Sequence, residues 1–456
     1  MDHDVRLDGA LVRAWADACV RRLRQVAPLV DALNVFPVAD ADTGQNVTST
    51  LAGGLAAVDA SATGDLAQAA RLLASGALRQ ARGSSGVIMS GWFAGLASGF
   101  AAPATSDVAC LTAALESAAT QARRAVADPW PGTVLEVADQ VAAAVARRCD
   151  QADQQVALAE LLPGPLAEVR AALPETSAHH PVLASAGVVD AGACALLVVL
   201  EVLAALLAGQ PCDQAGRWLP PPAPAAADHH DQHGGAFEVM LHVTVEVDRT
   251  ALSATGSAAA VTGMGNEWRT HVHTDDPATA LGLVTPDELR IGVVRAMTND
   301  GTGLVVATSD AGLAGWYAAA GAVVIVPGGA VVPGQLRTLL RAAGRHVLAT
   351  DPGLAQAVGA RTADPVRAAV ACITADAADD VAAALDRVRT AATDDADPAE
   401  ALAAVYAAMP DAEVLTVVPR DGAELDLVRD LADSYGLDLV LVGPATTGPL
   451  WRLGID

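Results

Sequence analysis

From Leu7 to about Gly209, apolar residues recur at helical spacing. Leu11, Trp15, Cys19 and Leu23 fall every four residues, and Val26, Val30 and Leu33 carry the stripe past Pro28, where the missing N–H predicts a kink or a restart. The same period runs through Leu66–Gln80, Val108–Ala125, Val134–Arg148, Gln155–Ala172 and Ala191–Leu207. Polar or Gly/Pro breaks separate these runs, and the pattern predicts an all-α bundle of about eight helices over residues 1–209. Residues 210–234, with Trp218-Leu-Pro-Pro-Pro-Ala-Pro and then the His229, His230, His233 run, read as an interdomain linker.

Beyond the linker the period shortens. Phe237–Val247 alternates in strand fashion, Ala258–Thr262, Arg269–Thr274 and Arg290–Ala296 read as further strands, and Pro277–Leu283 reads as a helix. These elements predict a small α+β domain over 235–309. From Leu304, strand-like runs (Leu304–Thr308, Ala322–Val326, Val370–Ile373, Glu413–Val418, Asp438–Val442) alternate with helical ones (Leu313–Ala320, Leu336–Ala343, Asp376–Ala391, Glu424–Tyr435). That alternation predicts an α/β C-terminal domain over 310–456.

Composition narrows the chemistry. With 28 basic and 53 acidic residues among 456, the formal charge of −25 repels a phosphate backbone, so nucleic acid is not an expected partner. Every basic residue is Arg. A P-loop lysine, a protein-kinase strand lysine and a pyridoxal Schiff base are thereby excluded. The six cysteines are scattered without a CxxC pair, which predicts neither a disulfide framework nor a cysteine zinc knuckle. An acidic start without an apolar run behind it predicts no secretory signal, and the expected location is the cytoplasm. Gly187–Gly209 is apolar and long enough to span a bilayer, yet Asp190 and Glu201 would each cost about 2.5–3.5 kcal/mol near its centre. A buried helix is expected there, and no transmembrane segment.

The most informative stretch is Asn34-Val-Phe-Pro-Val-Ala-Asp-Ala-Asp-Thr-Gly-Gln-Asn. In an extended or turn conformation Asp40 and Asp42 face one side, where two carboxylates about 4–5 Å apart repel by roughly 4 kcal/mol at a protein surface unless a cation lies between them. Mg²⁺, held by one or two carboxylates and substrate phosphates, meets that need, although a solvated Asp-rich turn carries the same residues. Ala81-Arg-Gly-Ser-Ser-Gly-Val has the glycines and hydroxyls of a phosphate-facing helix start or of an ordinary N-cap. Pro131-Gly-Thr-Val and Gly187-Val-Val-Asp-Ala-Gly are two more Gly-bearing helix starts, with Thr133 and Asp190 as their polar residues.

In order and spacing these four segments resemble the DhaL family, the nucleotide-binding subunit or domain of dihydroxyacetone-type kinases. The whole chain is similar to the catalytic subunit of bacterial fatty acid kinase. The family pattern N-V-F-P-V-P-D-G-D-T-G-x-N corresponds to Asn34–Asn46, A-R-G-N-S-G-V to Ala81–Val87, G-T to Gly132-Thr133 and G-V-V-D-S-G to Gly187–Gly192. In the later part H-x-H-T-x-x-P corresponds to His271-Val-His273-Thr-Asp-Asp-Pro277, and Asn299–Leu304 resembles a further family motif. Ala39, Ala41, Ser84 and Ala191 depart from the family's Pro, Gly, Asn and Ser. If the glycine at 41 normally takes positive φ, alanine costs on the order of 1 kcal/mol there and shifts a carboxylate.

The resemblance implies an eight-helix barrel that binds ATP at one end. It implies Asp40 and Asp42 as Mg²⁺ ligands, with Asn34 standing where the dihydroxyacetone branch has a third acidic ligand. Thr43, Gly44 and Asn46 would line the phosphates, and Ser84, Ser85, Gly132, Thr133 and Asp190 would shape the rest of the nucleotide pocket. His271 and His273 correspond to zinc ligands of the family, but its cysteine is Ala236 here, so a zinc site needs a replacement such as His233 or His242, and a metal-free catalytic or structural pair is the alternative. The implied activity is phosphorylation of a fatty acid's carboxylate, with Asp40, Asp42, His271 and His273 as catalytic residues. The implied partner is a DegV-like fatty-acid carrier, docked on a DegV-like C-terminal domain, and a homodimer is compatible with the family. A dihydroxyacetone-type kinase and a degenerate nucleotide-binding scaffold without turnover are the rival readings.

Overall fold

The computed structural model describes residues 6–151, 156–221, 234–297, 303–329, 346–374 and 380–456, with positions 331 and 336. A helical N-terminal region is followed by a sheet-containing part. Residues 1–234 and 245–272 form one compact unit, and 235–244 with 273–456 form a second.

The first unit is built from α1 (Gly9–Asp31), α2 (Thr43–Asp59), α3 (Leu66–Gln80), α4 (Gly83–Phe100), α5 (Asp107–Arg123), α6 (Val134–Asp150), α7 (Pro163–Ser177), α8 (Pro181–Ala186) and α9 (Ala191–Leu207). The predicted stripe of α1 is buried at Trp15, Cys19, Leu23, Val26 and Val30. Pro28 does not break the helix: it lies in the last turn, where its own carbonyl still accepts from Ala32 N at 3.3 Å. Each helix from α1 to α6 packs on the next, and α9 touches α1, α2, α6 and α7. That position explains the apolar run of α9, in which every residue from Cys194 to Leu200 is fully buried. Trp15 Nε1 donates to Val199 O at 2.9 Å and fastens α1 to α9. Glu201 accepts from Trp218 Nε1, Gly216 N and Arg170 Nη1 at 2.7–2.9 Å, so its charge is met at the edge of the core. Among the described residues no helix is long and apolar enough to cross a membrane.

The helix expected over 155–172 begins instead at Pro163, which fits the first helical turn because its missing N–H has no acceptor there. The unit is completed by α10 (Arg249–Ala254) and the hairpin of β2 (Ser257–Met264) and β3 (Glu267–Thr274), whose β2 packs on α4. Val261 N donates to Ala125 O at 2.6 Å, and Arg269 Nε donates to Leu78 O at 3.1 Å near the end of α3.

In the second unit β1 (Phe237–Val243), β4 (Leu289–Ala296), β6 (Val323–Pro327), β5 (Leu304–Ala307) and β7 (His346–Ala349) lie side by side in that order. β4 runs antiparallel to β1 and β6, whereas β5 runs parallel to β6 and β7. Strands from both sides of the expected 309/310 boundary thus share a sheet. A second sheet has the order β10 (Asp438–Leu441), β9 (Val414–Pro419), β11 (Trp451–Ile455) and β8 (Arg389–Thr393). Asp310 caps the helix Ala311–Ala319 through Gly312 N and also accepts from the backbone N–H groups of Thr446 and Thr447, joining the two sheet regions.

Two sequence expectations fail here. Val370–Ile373 is not a strand but part of a helix, Pro365–Thr374, started by Asp364 Oδ1 accepting from Val366 N at 2.8 Å and Arg367 N at 3.2 Å. The helix expected to reach Ala391 ends at Arg387, because Arg389–Thr393 pairs with β11. The helix expected over 336–343 lies almost wholly outside the described residues, as do residues 222–233 of the linker and Asn299.

Gly99 lets α4 approach α5 closely: a Cβ there would lie 2.3 Å from Ala114 Cα, a backbone atom that cannot swing aside. Gly99→Ala is expected to destabilise the chain by about 1–3 kcal/mol, read as a lower urea midpoint with an unchanged slope. An unchanged midpoint would show that the two helices are not held at that spacing.

Candidate functional site

Four helices of the first unit begin at one cavity of about 500 Å³. Thr43 opens α2, Ser84 and Ser85 lie in the first turn of α4, and Thr133 and Asp190 hold the N-cap positions of α6 and α9; all five line the cavity. Helix N-termini carry N–H groups without intrahelical partners and a positive end of the macrodipole, so hydroxyls gathered there suit an anionic group such as phosphate.

Asp190 is the most constrained of these residues. Its Oδ2 accepts from Ala193 N at 2.7 Å in its own helix and from Val134 N at 2.9 Å in α6. Burial pushes its carboxyl up to about 6, against the pull of those two N–H groups. Because Asp190 serves the start of α6, Thr133 is not needed as a side-chain cap; its Oγ1 donates instead to Trp130 O at 3.0 Å. Gly83 has φ 60, and a Cβ on it would strike Asn46 Nδ2 at 2.4 Å, so Asn46 underpins the start of α4 without lining the cavity.

Gly44 and Gly132 also stand back from the wall, with their N–H groups already committed: Gly44 N donates to Asp31 Oδ1 at 2.6 Å and Gly132 N to Glu136 Oε2 at 2.7 Å. Asp31 was not singled out in the sequence. It does the N-terminal work on α2 that Asp42 would otherwise do, and Asp42 sits at the N-cap position without its side chain capping the helix. Burial raises the Asp31 carboxyl above its usual range, offset in part by Gln45 and Gly44. Asp40 is exposed, and one of its oxygens accepts from Asn34 Nδ2. An amide at 34 therefore supports Asp40 where a third carboxylate would repel it. Between the two aspartates Ala41 has φ 53, the left-handed conformation that favours glycine.

An aromatic wall was not foreseen as part of the site. The rings of Phe36 and His180 lie 3.9 Å apart between centroids, Trp130 is 5.2 Å from His180, and all three line the cavity. Phe36 and Trp130 flank motif residues, which is the only signal the sequence carries for them. A further part of the lining comes from Val126–Asp128 and from Gly256–Ala259 at the start of β2. His271 reaches this part, its Nδ1 donating to Ala258 O at 3.0 Å. That bond places the imidazole proton on Nδ1 and the lone pair on Nε2, the arrangement a metal-ligating histidine adopts. His273 follows two residues later on β3, and in the second unit its ligating atom lies within 4.8 Å of that of Glu238. Glu238 rather than His242 is thus the group that stands by His273, and His233 falls outside the described residues.

Residues 37–205 match the DAK2 domain. The DAK2 match spans Thr43, Ser84, Ser85, Thr133 and Asp190, and therefore all the helix starts at the cavity; Ser253 and Gly256–Ala259 lie outside it. The chain is 31% identical over 293 residues to "Protein YloV" of Bacillus subtilis, covering 60% of this chain and 52% of that protein. It is also 31% identical over 205 residues to "Uncharacterized protein SSP1546" of Staphylococcus saprophyticus, covering 45% and 37% respectively. The chain spans about half the length, or less, of these curated relatives.

Two predictions follow from the site's strained groups. Because Asp190 keeps its proton to about pH 6 in the fold but only to about 4 when unfolded, its contribution to stability is complete below pH 4 and lost as pH rises through 6. The melting temperature of the wild type minus that of Asp190→Asn is expected to be larger at pH 5 than at pH 7.5; a pH-independent difference refutes the shift. Ala41→Gly is expected to raise stability by up to about 1 kcal/mol by relieving positive φ, seen as a higher melting temperature. A lower melting temperature would contradict it.

Proposed function

We propose that this chain is an ATP- and Mg²⁺-dependent kinase that phosphorylates the carboxylate of a fatty acid presented by a separate DegV-like carrier protein. The observation that carries the reading is the convergence of four hydroxyl- or carboxylate-bearing helix starts on one cavity, at the segments that resemble the DhaL pattern. ATP fits this donor set through Thr43, Ser84, Ser85 and Thr133, and Mg²⁺ fits Asp40 and Asp42, since Asp42 is not spent on capping α2. Bound Mg²⁺ supplies neutralisation of charge on the transferred phosphoryl group.

A carboxylate acceptor is already ionised at pH 7, so the reaction needs no general base. One acceptor oxygen forms a bond to the γ-phosphorus, the bond to the β,γ-bridging oxygen breaks, and ADP leaves with that electron pair; no proton moves. The contribution asked of the protein is alignment and charge compensation. His271 and His273 are assigned to orienting or neutralising the acceptor. The region 310–456 is assigned to docking the carrier.

Asp40→Asn and Asp42→Asn are each expected to lower acyl-phosphate formation on the order of 100-fold and to remove the Mg²⁺ dependence of ATP binding seen by calorimetry. Wild-type ATP binding that is insensitive to EDTA and to both substitutions would sink the kinase reading. Mg²⁺-dependent binding without any turnover on a carrier-bound fatty acid would favour the scaffold.

A further inference from the structure

Within the first unit's cavity two polar side chains have no hydrogen-bond partner. Both ring nitrogens of His180 are buried and unpaired, and the residue is only 2% exposed. Ser257 Oγ is likewise buried and unpaired. Both residues line the cavity, and they come from different parts of the chain: His180 from the N-cap of α8, and Ser257 from the start of β2, outside the DAK2 match. Buried polar atoms are nearly always hydrogen-bonded in native proteins, so two such exceptions in one cavity call for an absent partner. Around them the lining is chiefly apolar or aromatic, with Phe36, Trp130 and Ile88 among it. Mostly apolar walls with a few placed polar groups are the usual make-up of a small-molecule site.

We infer that His180 and Ser257 determine base specificity, hydrogen-bonding to the edge of the nucleobase of the nucleotide bound in this cavity. The inference rests on the nucleotide reading above and names the part of the ligand that these residues contact. A nucleobase has two apolar π-faces, which suit the Phe36 and Trp130 rings, and an edge of donors and acceptors, which suits an imidazole and a hydroxyl, each able to donate and accept. An acyl chain would fill the same apolar space but leave His180 and Ser257 as unpaired as they are now. The phosphates would then extend toward the helix starts that carry Thr43, Ser84 and Ser85. The segment containing Ser257 thereby becomes part of a nucleotide site whose hydroxyl-bearing helix starts belong to the DAK2 region.

The test uses the full chain with Mg²⁺, titrated calorimetrically with ATP and, separately, with inorganic tripolyphosphate, which has no base. His180→Phe keeps the aromatic packing and removes both nitrogens; Ser257→Ala removes only the hydroxyl. Each is expected to weaken ATP binding about tenfold and leave tripolyphosphate binding unchanged. Each is also expected to leave the melting temperature of the ligand-free chain equal or higher, because an unpaired buried polar group has been replaced by an apolar one. A purely structural role would lower that melting temperature and weaken both ligands alike, which overturns the inference. Unchanged ATP affinity in both variants overturns it too. If the wild type binds tripolyphosphate as tightly as ATP, base recognition is refuted while the phosphate site stands. If it binds neither, the nucleotide reading itself falls and takes this inference with it.

Discussion

A single carboxylate oxygen, Asp190 Oδ2, holds the starts of two helices together by accepting from Ala193 N and Val134 N. The helix it begins is the apolar centre of the bundle, and the helix it reaches across to carries Thr133. Removing a charge from water is costly, and the raised affinity of Asp190 for its proton measures that cost. The fold accepts it at a point where two orphan N–H groups meet. The cavity wall depends on this junction, because it registers α6 against α9.

The same economy of helix ends recurs on α2. Its first N–H groups could serve a ligand, yet Asp31 from the end of α1 already accepts from Gly44 and Gln45. This leaves Asp42 at the helix entrance without a capping role, and it leaves Thr43 as the α2 residue on the cavity wall. Asn34 holds Asp40 from the side, and Ala41 between the two aspartates has a positive φ that favours glycine. Within one motif, then, the capping of α2 falls to Asp31 and not to Asp42.

The helices most strictly periodic in sequence were the most legible. Leu66–Gln80 and Ala191–Leu207 have the expected limits, the first because its apolar face has helical period and one favourable burial, the second because a long run apolar all round belongs in the core. Strands were read where a short apolar run recurred between helical stretches, as at Leu304–Ala307 and Asp438–Leu441. Val370–Ile373 was misread because a short apolar run has the same composition in a strand and in a buried helix; the Asp364 cap, a local side-chain bond, decided it. β7, β8 and β11 were not foreseen, since β8 and β11 gain their strand character from pairing with each other and β7 from pairing with β5.

At the site, the sequence by itself determined which helix starts carry hydroxyl or carboxyl groups: Thr43, Ser84, Ser85, Thr133 and Asp190 were all singled out from motif spacing. It also determined that no lysine takes part, since none exists. Only the tertiary structure decided that these starts share one cavity, that Gly44 and Gly132 are spent on Asp31 and Glu136, and that Phe36, Trp130, His180 and Ser257 complete the wall. The reason is range. A helix cap or a strained turn is set by residues a few positions apart, whereas the cavity is lined by side chains as distant in the chain as Phe36 and Ala259, and which of them meet is settled by how the elements pack.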